Sequence, residues 1–133
     1  MAKILIIDDE IDFIFTYQTW FESEGFEVVT ALDGGEGLEK AESVKPDLIT
    51  LDLTMSPVSG YVAFDKLKLN PVTQNIPVII LTNVTRAGIY DEFMDKGAAA
   101  FCEKTDYSPK QLVEKIKEIL GFIPLETATA DKE

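Results

Sequence analysis

The chain has 133 residues, 46% of them apolar, and a formal net charge of -12. A length of this order suggests one domain, able to bury roughly two-thirds of its unfolded surface. The acidity argues against direct binding to nucleic acid or to an anionic membrane, both of which need clustered Lys and Arg, and plain solubility accounts for most of the excess.

Cys102 is the sole cysteine and histidine is absent. No internal disulfide can form, in keeping with a reducing, cytoplasmic setting. Nor can the chain use His as metal ligand, general base or phosphoryl carrier. The N-terminal apolar run is cut short by Asp8 and Asp9, so it does not read as a signal peptide. No stretch approaches the ~20 apolar residues of a membrane span.

The first element is the run Ile4–Ile7, which ends in Asp8-Asp9-Glu10. A helical segment follows in which Phe13, Phe15, Tyr17, Trp20 and Phe21 join Ile11 and Ile14. At 100° per residue these cover more than half the circumference, wider than the stripe a helix needs to cover one face of a sheet. Phe13, Tyr17 and Trp20 share the flank away from Ile14. Two explanations stand side by side: the flank packs on the last helix, or it is a partner surface.

The second run is Val28–Ala31. Asp33 and Glu36 then read as an N-cap and its capping-box partner, opening a helix through Leu38 and Ala41. Gly34-Gly35-Glu36-Gly37 lacks the spacing and Lys of a phosphate-binding loop, so its glycines are expected only to shape a strand-to-helix turn. The third run, Leu48–Leu51, ends in Asp52, and the fourth, Val78–Leu81, in Thr82-Asn83. The fifth, Ala98–Cys102, ends in Glu103-Lys104. Ser108-Pro109-Lys110-Gln111 is a strong helix start, and Leu112, Ile116, Ile119 and Leu120 form its apolar stripe. Gly121 is a natural C-cap. Residues 1–121 are expected to form the domain, and 122–133 a flexible acidic tail.

All five runs are short, rich in β-branched or small apolar residues, and do not alternate. Strands covered on both faces read this way. Their alternation with helical segments implies a parallel sheet with helices on both sides. Ligands of such sheets bind beyond the carboxyl ends of the strands. There the chain places Asp8, Asp9, Asp52, Thr82 and Lys104. Carboxylates that close repel one another unless a cation intervenes. A hard divalent ion with oxygen ligands resolves the conflict, and Mg²⁺ does so with one or two carboxylates plus water and phosphate. Asp52 then suits a nucleophile that forms an aspartyl phosphate, with the ion offsetting charge on both partners. Thr82 offers a hydroxyl to a phosphoryl oxygen, and Lys104 a compact positive charge to another. Taken singly, each residue also reads as a helix cap or a solvated surface group. Their joint placement at four neighbouring strand ends favours a site.

This set resembles the receiver domain of two-component response regulators. The match rests on Asp8-Asp9, Leu51-Asp52-Leu53, Thr82 and Lys104. Met55, Gly60, Gly97-Ala98 and Phe101 add to it, and it covers about Lys3 to Leu120. The resemblance implies a flavodoxin-like, doubly wound three-layer sandwich. Its five-stranded parallel sheet has order 2-1-3-4-5 and five helices. It implies that Asp52 is phosphorylated from a phosphohistidine on a sensor histidine kinase or histidine phosphotransfer protein. Asp8, Asp9, Asp52 and the backbone carbonyl of Thr54 would hold Mg²⁺ or Mn²⁺. Thr82 and Lys104 would bind the phosphoryl oxygens, and Phe101 would change rotamer as Thr82 moves. The altered surface would be a helix from about Thr85 to Lys96, the last strand and the last helix. It would act on a downstream protein or output domain, as a monomer or a phosphorylation-dependent dimer. Such a chain is a switch, at most phosphorylating and dephosphorylating itself.

Several positions depart from the family pattern. Met55-Ser56-Pro57 displaces the usual Met-Pro by one residue, and Thr105 replaces the usual proline after Lys104. Asn83 is bulky for its position, where it could narrow access to the phosphoryl group. Thr54 and Val84 carry no acid or amide to orient a hydrolytic water, so self-dephosphorylation is expected to be slow. Three alternatives remain. One is a fragment of a longer regulator, another a receiver-like binding module that takes no phosphate. The third is a Mg²⁺-dependent phosphatase with an Asp nucleophile, which Thr54 disfavours because such enzymes have a second Asp there.

Overall fold

The computed structural model describes residues 1–122, so all but the first residue of the expected tail lies outside the described residues. The elements run β1 (Lys3–Ile7), α1 (Ile11–Ser23), β2 (Glu27–Ala31), α2 (Gly34–Val44), β3 (Leu48–Leu51), α3 (Gly60–Leu69), β4 (Val78–Thr82), α4 (Ile89–Asp95), β5 (Ala100–Glu103) and α5 (Pro109–Ile119). The strands form one parallel sheet of order β2-β1-β3-β4-β5. Topology, strand count and helix count are those expected from the sequence.

Alternating side chains divide the sheet between two apolar layers. Leu5, Ile7, Ile49, Leu51, Val78 and Ile80 face Ala41 of α2, Phe64 and Leu67 of α3, and Phe93 of α4. Ile4, Ile6, Leu48, Ile79, Leu81 and Cys102 face Ile14, Tyr17 and Phe21 of α1, and Leu112 and Ile116 of α5. Both faces are therefore dry, which explains the unbroken apolar runs.

The cap expectations hold with one refinement. Ser108 and Gln111 close a full capping box at α5. At α2, Asp33 caps Gly35 and Glu36 as expected, but Glu36 reaches one residue further back, to the Leu32 N–H at 2.7 Å. Gly25, Gly97 and Gly121 end α1, α4 and α5 at positive φ. In each case the glycine N–H and that of the residue after it donate back to carbonyls of the final turns, as in the glycine-ended helix stop. The glycines that open α2 serve packing, not only a turn. A Cβ on Gly34 would meet the Val58 carbonyl at 2.7 Å, and one on Gly37 the side chain of Ile7 at 2.5 Å.

α4 is shorter than the expected 85–96 stretch. It begins at Ile89, after Gly88 at φ 84, and no side chain caps it. A left-handed residue ahead of it stops the helix from extending back to Thr85.

The aromatic surplus on α1 splits three ways. Tyr17 and Phe21 are core, and the Tyr17 hydroxyl donates to the Tyr107 carbonyl at 3.0 Å. Phe13 is half-buried and stacks on Tyr17, with ring centroids 4.2 Å apart. Ile11, Phe15 and Trp20 stay exposed, at 68%, 71% and 40%. Packing beside α5 thus accounts for part of the flank, and solvent exposure for the rest.

Candidate functional site

The last backbone rungs of the sheet fix the site. Asp8 N–H donates to Ala31, Asp52 N–H to Ile7 and Lys104 N–H to Thr82, all at about 3 Å. Each residue is thus locked at the carboxyl edge while its side chain is free to turn inward. Gly60 sets the floor: its N–H donates to the Leu53 carbonyl, and a Cβ there would collide with the Asp52 carbonyl.

Lys104 is the hub. Its ammonium lies 2.8 Å from Asp8, 2.6 Å from Glu10 and 3.2 Å from Asp52, and its side chain is 5% exposed. Thr82 is fully buried, and its hydroxyl donates to Asp52 Oδ1 at 2.8 Å. That same oxygen accepts from the Thr54 N–H at 3.3 Å. Asp52 therefore has one oxygen on Thr82 and the other on Lys104, two groups able to receive oxygens of an incoming phosphoryl group.

The electrostatics follow from burial. Removal from water drives the Asp8 carboxyl up to about 6, against the opposing pull of its bonds to Lys104 and the Glu10 N–H. For Lys104, burial alone would lower the pKa. Bonds to Asp8 and Glu10, with the charges of Asp8 and Asp52, outweigh it and hold the ammonium well above its usual range.

Carboxylate oxygens of Asp8, Glu10 and Asp52 all lie within 4.8 Å of one another. Hard oxygen donors this close suit Mg²⁺ or Mn²⁺. Asp9, the ligand expected from the sequence, is exposed and stands outside that trio. The reason is local: Asp8 Oδ1 accepts from the Glu10 N–H at 2.9 Å, a tight turn past the strand end, and Lys104 draws Glu10 inward. Glu10 was visible as the third acid after the first run, but no role followed from its position. Nor did the sequence place the Phe13 ring against Lys104, where it lies 4.1 Å from the ammonium.

The remaining expected residues surround the pocket. Thr54 and Asn83 are exposed, so the bulk of Asn83 faces solvent, and Val84 is half-buried. Phe101 is half-buried, with Tyr90 and Phe93 at 6.1 and 6.2 Å. The Ser56–Pro57 bond is cis; Lys104–Thr105 is trans.

A family model described as the response regulator receiver domain matches residues 4–117. The chain is 35% identical over 124 residues to the alkaline phosphatase synthesis transcriptional regulatory protein PhoP of Bacillus subtilis, covering 89% of this chain and 48% of that protein. It is 37% identical over 121 residues to response regulator SaeR of Staphylococcus epidermidis, covering 91% and 51%. The chain thus spans about half the length of these curated relatives. Among solved structures, chemotaxis response regulator CheY4 of Vibrio cholerae superposes with TM-score 0.81 at 28% identity, covering 90% of this chain and 98% of that one. A CheY-like receiver domain protein of Methanospirillum hungatei superposes at 0.82 with 31% identity, covering 91% and 94%. Receiver domains are signalling switches of two-component systems, which interact with histidine kinases and with output domains. By sequence along nearly its whole described length, and by strand order, this chain belongs to the response regulator receiver domain family.

Proposed function

We propose that Asp52 accepts a phosphoryl group from a phosphohistidine on another chain, with Mg²⁺ or Mn²⁺ in the acidic pocket. One observation carries this reading: both Asp52 oxygens are engaged by groups suited to phosphoryl oxygens, Thr82 at 2.8 Å and Lys104 at 3.2 Å. An aspartyl phosphate places new negative charge between them, which they stabilise as in other phosphoryl transfers. The donor lies outside these 133 residues, which hold no histidine.

Asp8 and Asp52, with the Thr54 carbonyl, would hold the ion. Asp9, exposed and without a side-chain hydrogen bond among the described residues, would complete the set by turning in from solvent. The ion supplies charge neutralisation for the carboxylate and the incoming group. Phe101, beside Tyr90 and Phe93, would carry the change to α4, β5 and α5. A downstream protein or output domain would read that face, with or without dimerisation. The kinase or phosphotransfer protein would dock on α1. The expected contacts near Phe13 and Trp20 shift to the exposed Ile11, Phe15 and Trp20, since Phe13 is half-buried. The fragment reading stays alongside, because the relatives are about twice as long.

The test is beryllofluoride with Mg²⁺, followed by calorimetry, together with labelling by acetyl phosphate. Tight binding and labelling are expected, both lost in Asp52→Asn. Indifference to Asp52→Asn would instead indicate a binding module. The phosphoryl lifetime is expected to be many minutes, because the exposed Thr54 and half-buried Val84 present no acid or amide to an attacking water. A lifetime of seconds would refute that expectation.

A further inference from the structure

Lys104 meets four groups in the pocket, and only three are acids. The fourth is the face of Phe13, whose ring centroid lies 4.1 Å from the ammonium. That is well inside the ~6 Å over which a ring quadrupole attracts a cation. With 5% of the Lys104 side chain exposed, water screens the contact little.

The ring is not free to drift. Phe13 lies in the first turn of α1, three residues after Glu10, and helical side chains lean towards the N-terminus, here towards the pocket. It stacks on Tyr17 four residues on, at 4.2 Å. Tyr17 is itself anchored by its hydroxyl on the Tyr107 carbonyl, in the loop that follows Lys104. The ring, through Tyr17, is thus tied to the same loop that carries the lysine it faces.

We infer that Phe13 is a positioning residue for Lys104, its ring face holding the ammonium at the phosphoryl pocket. This rests on the phosphoryl-switch reading of the same site. The three acids are an unreliable anchor for that purpose, because a divalent ion competes for the same carboxylate oxygens. A neutral ring has no affinity for phosphate and little for a hydrated Mg²⁺. It therefore keeps the ammonium in place when the carboxylates turn to the metal.

Two readouts test this. In metal-free protein carrying ¹³C-labelled lysine, the Lys104 ε-methylene protons are expected upfield, shifted by the ring current. Phe13→Met, which keeps volume without the ring, and Phe13→Leu return them to the ordinary lysine position; Phe13→Tyr keeps them upfield. Beryllofluoride binding in saturating Mg²⁺ weakens about tenfold in Phe13→Met, or about 1.4 kcal/mol, and recovers in Phe13→Tyr. Mg²⁺ alone binds all variants within twofold of the parent. Unmoved Lys104 resonances in both non-aromatic variants, or beryllofluoride binding within twofold of the parent, would overturn the inference. Failure of the parent itself to bind beryllofluoride would instead overturn the switch reading, while the lysine resonances still decide whether the ring holds Lys104.

Discussion

Before any metal arrives, Asp8 carries the electrostatic strain of the acidic edge. Its carboxyl is pushed up to about 6 by burial, from an ordinary value of 3.8. The folded protein therefore binds this proton more tightly than the unfolded chain. The contribution of Asp8 to stability is most favourable below pH ~4, declines from about pH 4 to pH 6, and above that is a cost of roughly 3 kcal/mol. Asp8→Asn removes that dependence. In metal-free buffer at pH 7 it is expected to melt higher than the parent, and the gap should shrink towards pH 4; equal melting curves across that range would contradict the assignment. The acids beside it divide by their surroundings. Asp9→Asn is expected to weaken Mg²⁺ binding about tenfold or more by calorimetry, and Glu10→Gln much less, because Lys104 already occupies Glu10. Asp8, Asp52, Thr82 and Lys104 were legible in the sequence because each closes or follows an apolar run. That Glu10 rather than Asp9 sits against Lys104 was not. It depends on a turn closed by Asp8 and on a lysine 94 residues away, and no local pattern carries that distance.

At the scale of elements, the sequence was clearest where a backbone demand meets a particular side chain. Ser108 with Gln111, and Gly121 after α5, are examples. Ser108→Ala is expected to cost about 1 kcal/mol, read from a denaturant midpoint shift. Gly60→Ala is expected to cost more, on the order of 2–3 kcal/mol. Its Cβ would meet the Asp52 carbonyl, and that backbone can yield only by moving the strand end that carries Asp52. α4 was expected as a helix through the family resemblance but not in its start, because Gly88 takes a left-handed turn just ahead of Ile89. Seven residues with no capping side chain make it the least secured helix. Hydrogen exchange is expected to be faster in α4 than in α5, and slow exchange throughout α4 would count against that. The sequence also showed that α1 carried too many aromatics for one stripe. It could not apportion them, since the partners of Tyr17 and Phe13 lie in the loop after β5.

For the molecule as a whole, the two-sided sheet followed directly from five apolar runs that do not alternate. What those runs could not show is that the acidic edge is compensated from within. In a chain of net charge -12, three carboxylates meet over one buried ammonium. Lys104→Met leaves them facing one another. That variant is expected to melt well below the parent without metal, and to gain more from added Mg²⁺ than the parent does, as a thermal shift titration would record. The parent depends on the ion far less. Stripped by a chelator, it is expected to stay folded, keeping its far-ultraviolet dichroism and losing only the few degrees that bound ion adds by mass action. Depletion of divalent ions would then silence the domain without destroying it, leaving an intact reserve that revives as soon as the ions return.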